Sequence, residues 1–64
     1  MLEILSTDEV AELLRLSPNR VLLLARRGEI PSLKIDGRVR FDAQEIEAWI
    51  KSQRETNPRD RKTQ

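Results

Sequence analysis

The stretch Ser17-Pro18-Asn19-Arg20-Val21-Leu22-Leu23-Leu24-Ala25-Arg26-Arg27-Gly28-Glu29-Ile30-Pro31 decides how this chain folds. Ser17-Pro18 opens a helix: a serine oxygen accepts from a first-turn N–H, and proline at the first helical position loses no needed donor. Val21, Leu24 and Ala25 then form an inward stripe at the 3, 4 spacing. Gly28 ends the helix as a left-handed cap, and Arg26 and Arg27 sit in the last turn, where the helix dipole favours cations. Ile30-Pro31 then leads into a strand.

Upstream, Leu5 is followed by Ser6-Thr7-Asp8-Glu9, a capping box with Ser6 as N-cap and Glu9 three residues on. Val10, Leu13 and Leu14 share one face, which predicts a helix over 7–14 with Ile4 or Leu5 as the hydrophobic staple before it. Arg15-Leu16 makes the turn, with Leu16 expected to be buried between the helices. Helix, a break of about three residues and helix again make a helix-turn-helix plan.

Downstream, Leu33-Lys34-Ile35, Asp36-Gly37-Arg38 and Val39-Arg40-Phe41 read as a hairpin. Asp-Gly alone suggests a two-residue turn, which pairs Ile35 with Arg38 and Leu33 with Arg40. A three-residue loop pairs Ile35 with Val39 and Leu33 with Phe41 instead. That register gathers four apolar residues inward, turns Lys34 and Arg40 outward and leaves Arg38 at the tip. Burial favours the second register. Asp42-Ala43-Gln44-Glu45 is another capping box, opening a third helix with Ile46, Trp49 and Ile50 on its inner face. The apolar pattern ends near Gln53, so residues 1–52 are expected to form the domain and 53–64 a flexible polar tail.

The 64 residues suit one domain with a modest core, burying roughly 60% of the unfolded surface. Hydrophobic content of 38% and charged content of 36% fit a soluble chain. No apolar run approaches the ~20 residues of a membrane span, and no secretory leader pattern is seen. With no cysteine and no histidine, disulfides, thiol nucleophiles, the usual zinc sites and His-based triads are excluded. A cytosolic protein without metal or cofactor is the expectation. Net charge is only +1, but residues 15–40 carry Arg15, Arg20, Arg26, Arg27, Lys34, Arg38 and Arg40 against Glu29 and Asp36. Seven cations against two carboxylates make a +5 block, while residues 1–14 hold four acids and no base. The local field, rather than the total, steers a polyanion; the plain alternative is a solvated arginine-rich face.

Leu5-Ser6, Val10-Ala11-Glu12-Leu13-Leu14, Leu16-Ser17, Val21, Arg26-Arg27-Gly28-Glu29-Ile30-Pro31, Gly37-Arg38-Val39-Arg40-Phe41 and Ala48-Trp49-Ile50 stand in a particular order and spacing. Together, over residues 4–50, they resemble the excisionase-type helix-turn-helix family, small winged domains related to the DNA-binding part of MerR-type regulators. The resemblance implies a mainly α fold with a small β-hairpin, a winged helix-turn-helix: two-helix unit, two-stranded wing and C-terminal helix. It also implies a cytoplasmic bacterial or phage protein that binds double-stranded DNA without catalysis. Its second helix would enter the major groove, and its wing would touch the backbone or minor groove. Members include recombination directionality factors, which bend DNA and assist an integrase, and small transcriptional regulators. The chain departs from the family at Leu22 and Leu23, where an aromatic or polar pair usually points outward.

Under that reading, Ser17, Pro18, Asn19, Arg20 and Leu23 belong to the major-groove surface. Asn19 can bridge adenine N6 and N7, and Arg20 guanine O6 and N7, each worth about 1–3 kcal/mol of discrimination. Ser17 is first of all a cap, although the exposed N–H groups beside it can hold a phosphate. Arg26 and Arg27 are backbone candidates, with dipole compensation as the plain alternative. Lys34, Arg38 and Arg40 are wing candidates, with edge protection as theirs. Arg59, Arg61 and Lys62 in the tail add nonspecific attraction or nothing. Three readings stand for Leu22 and Leu23: cover by helix 1 or the wing, thymine-methyl contact, or a protein partner. The last makes a protein-interaction module the alternative function. Enzymatic chemistry is not expected: His, Cys, Tyr and a glycine-rich phosphate loop are all missing. A module this small reads a short half-site, so cooperative further copies or an integrase are the expected partners besides DNA. Neither a membrane nor a small-molecule substrate is expected.

Overall fold

The computed structural model describes residues 2–56, with side chains described through Arg54. Its elements run β1 (Ile4–Leu5), α1 (Thr7–Leu14), α2 (Pro18–Arg26), β2 (Leu33–Ile35), β3 (Arg38–Asp42) and α3 (Ala43–Thr56). This is a winged helix-turn-helix: helices dominate, and α1 and α2 form the two-helix unit. Arg59, Arg61 and Lys62 lie outside the described residues. Among the described residues no helix is long and apolar enough to cross a membrane.

Both predicted caps at the helix-turn-helix are formed. Ser6 Oγ accepts from the Glu9 N–H (3.1 Å) while Glu9 Oε1 accepts from the Ser6 N–H (2.8 Å), closing the box reciprocally. Ser17 Oγ accepts from the Arg20 N–H at 3.1 Å, with Pro18 in the first helical turn. Both helices end in the same double bond pattern. After α1, the Leu16 N–H reaches the Ala11 carbonyl and the Arg15 N–H that of Glu12; after α2, Glu29 reaches Leu24 and Gly28 reaches Ala25. Each pattern needs one left-handed residue. Gly28 supplies it at φ 75°, and Arg15, with a Cβ to accommodate, supplies it at φ 62°.

The core consists of Val10, Ala11, Val21, Ile30, Phe41 and Ile46, with Leu5, Leu14, Leu24, Ala25, Val39, Trp49 and Ile50 packed around it. Two expected core residues are not in it. Leu13 is 57% exposed and Leu16 38% exposed. The buried stripe of α1 is Val10, Ala11 and Leu14, turned by one position from the expected Val10, Leu13 and Leu14. Alanine at the helix contact permits a close approach to α2, and Leu13 is left on the outer side. Leu16 follows the left-handed Arg15 in the turn and is left partly open to solvent.

The hairpin corrects the expected register. Ile35 pairs with Arg38, Lys34 with Val39 and Leu33 with Arg40, so the turn is the two residues Asp36-Gly37. Both turn residues are left-handed, at φ 54° and 78°, as a hairpin turn matched to strand twist requires. Directly opposed residues share a face. Leu33, Ile35, Arg38 and Arg40 therefore lie on one side and Lys34 and Val39 on the other, so Lys34 and Arg40 do not share the outer face. The register differs from the one that burial within the hairpin favours because the apolar partner of Phe41 comes from β1. That strand pairs antiparallel with β3, placing Leu5 opposite Phe41 and giving a three-stranded sheet in the order β1-β3-β2. Phe41 is fully buried without Leu33 opposite it.

At α3, Asp42 Oδ1 accepts from the Gln44 N–H at 2.8 Å, and the Ala43 N–H donates to the Glu3 carbonyl at 2.9 Å. The expected box partner Glu45 makes no return bond among the described residues, so Asp42 caps the helix from its own side chain alone. The helix continues to Thr56, past the boundary near Gln53 suggested by the apolar pattern.

Candidate nucleic-acid interface

The first turn of α2 presents an exposed polar surface built on a fixed backbone. The Ser17 cap and Pro18 set the start of the helix, and Asn19 and Arg20 follow, both exposed. Neither side chain has a hydrogen-bond or ionic partner among the described residues. No acid lies in this turn, so the positive end of the helix dipole is uncompensated. Leu23 lies one turn on from Asn19 and Arg20 and is 37% exposed, while Leu22 is half-buried. Leu23 is thus covered over most of its surface but keeps part of it open, whereas Leu22 is the more covered of the two.

At the other end of α2, Arg26 and Arg27 differ. Arg27 Nη1 stands 3.9 Å from Glu29 Oε2, with both side chains about half exposed (54% and 55%). Such a pair contributes about 1 kcal/mol at most and yields readily to a stronger anion. Arg26 is exposed and has no partner among the described residues.

The wing distributes its three cations over two faces. Arg38, beside the turn, is exposed and unpaired among the described residues. Arg40 lies on the same face but is half-buried, with Nη1 donating to the Val39 carbonyl at 2.8 Å. That bond folds the guanidinium back along β3, beyond the point where β1 ends. Lys34 takes the opposite face with Val39. There it lines an open groove of about 380 Å³, whose walls are Ala25 and Arg26 from α2 and Ser32, Leu33, Lys34 and Val39 from the hairpin.

The structure thus gathers Asn19, Arg20 and Leu23 on α2, brings Arg26 and Lys34 to one groove, and sets Arg38 and Arg40 on the far face of the wing. Ser32 was missed by the sequence reading. Its only sequence signal is its position between Pro31 and the first strand residue, which does not distinguish a groove wall from an ordinary loop.

A family model for a helix-turn-helix domain matches residues 4–54. No curated protein and no solved structure matches the chain.

Proposed function

The chain belongs to the helix-turn-helix domain family, of excisionase-like type, and on that premise we propose that it binds double-stranded DNA sequence-specifically. Such domains are typically non-enzymatic. The observation that carries the reading is the first turn of α2: a capped, acid-free helix start with Asn19 and Arg20 exposed and unpartnered. Side chains of these two types match the edges of adenine and guanine in the major groove. Arg27, Arg38 and Arg40 supply charge toward phosphates, which positions the domain without itself carrying sequence information.

The biological role that follows is that of a recombination directionality factor or a small transcriptional regulator in the cytoplasm. A short half-site implies help from an integrase or from further copies bound cooperatively. A second reading has one observation in its favour. Leu23 is exposed beside the half-buried Leu22, so the same fold can present an apolar contact to a protein partner.

Selection of bound duplexes from a randomised pool tests the first reading. Arg20→Ala changes the selected sequence, whereas Arg38→Ala lowers affinity for all sequences alike. Equal losses on every sequence for both variants would remove Arg20 as a base reader. Wild-type protein that selects no sequence, with partner capture abolished by Leu23→Ser, would favour the second reading.

A further inference from the structure

We propose that the groove between α2 and the wing is a clamp for one backbone phosphate of duplex DNA, held from one wall by Arg26 and from the other by Lys34. The proposal rests on the DNA-binding reading above and specifies a contact within it.

Three observations lead to it. The first is register. The two-residue turn places Lys34 opposite Val39, and both line the groove across from Ala25 and Arg26. A three-residue loop, with Lys34 on the outer face, would leave the groove with one cation.

The second is the lack of counter-charge. Arg26 and Lys34 have no ion pair or hydrogen bond among the described residues. The carboxylate nearest in sequence to Arg26, Glu29, is directed to Arg27. Two cations on the walls of one concavity repel each other, and an anion seated between them turns that repulsion into attraction on both sides.

The third is the lining. Ala25 and Val39 offer small apolar surface that makes no competing hydrogen bond, and the exposed Ser32 adds a neutral hydroxyl donor at the same groove. Charged donors on opposite walls, a neutral donor and an apolar floor suit a phosphodiester flanked by sugar carbons. A strand held by both α2 and the wing passes between them, where the groove lies.

The test uses the full chain and a set of duplexes, each carrying one uncharged methylphosphonate linkage, with Arg26→Ala, Lys34→Ala and the double variant. Both residues are exposed, so the substitutions leave the core intact. The clamp predicts one linkage where neutralisation weakens wild-type binding about tenfold and the double variant by less than about twofold. It also predicts that the double variant loses about one unit of salt slope, because a single phosphate is involved. Loss of about two units, or additive effects at every linkage, would mean separate phosphates and would overturn the clamp while leaving DNA binding in place. Absence of binding to every duplex would overturn both readings together.

Discussion

Ile35 stands opposite Arg38 across the Asp36-Gly37 turn, and this pairing decides which side of the wing each neighbouring side chain takes. It sends Arg38 and Arg40 to one face and Lys34 to the other, beside α2. The arrangement depends on two consecutive left-handed residues, only one of which is glycine.

Substitution within this turn separates stability from charge. Gly37 at φ 78° has open space around it, so a new side chain meets strain and not a clash. Gly37→Val should destabilise the domain by about 1–2 kcal/mol, read by urea unfolding. Asp36→Asn keeps a residue suited to the left-handed position and removes the carboxylate two residues from Arg38. Its stability should stay within about 0.5 kcal/mol of wild type, and its affinity for duplex DNA should rise, most at low salt.

Arg15 holds the left-handed position after α1 that Gly28 holds after α2. A non-glycine residue there costs roughly 1–2 kcal/mol, offset in part by the greater chain entropy glycine loses on folding. Arg15→Gly should therefore raise stability by about 0.5–1 kcal/mol, seen as a higher urea midpoint at unchanged m-value. A lower midpoint would show that the Arg15 side chain contributes more than its backbone costs.

Ser17 combines a cap with a position on the proposed DNA surface, and two substitutions divide these roles. Ser17→Ala removes the acceptor of the Arg20 N–H and should cost about 1 kcal/mol of stability. Ser17→Asp keeps a capping oxygen and should retain stability within about 0.5 kcal/mol. It places a negative charge at the helix start, however, and should weaken DNA binding clearly at low salt. Unchanged binding by the aspartate variant would move the DNA surface away from this turn.

The helix-turn-helix was legible in the sequence because its determinants are local. Ser6 and Glu9, Ser17 and Pro18, and Gly28 each act within one helical turn of themselves, and all stand where local chemistry put them. The wing register was not legible in the same way. Asp36-Gly37 pointed to the right turn, but counting apolar residues within the hairpin pointed elsewhere. The missing partner of Phe41 was Leu5, more than thirty residues away, and a two-residue strand carries too little pattern to announce itself. Leu13 shows the same limit in a helix: the 3, 4 spacing fits two adjacent stripes, and packing of α1 against α2 selects between them. At the candidate site, the sequence supplied the cations, and the structure supplied their division between the groove and the outer wing face.

The most direct measurement of the account is duplex affinity as a function of salt, for the wild type and for Arg38→Ala. On the proposed interface, Arg27, Arg38, Arg40 and the clamp pair each meet the backbone, which would neutralise about four phosphates. The logarithm of the association constant should then fall with the logarithm of salt at a slope of about −3 to −4. Arg38→Ala should be shallower by about one unit. A wild-type slope near zero, or an Arg38→Ala line parallel to the wild type, would contradict a DNA face shared by α2 and the wing.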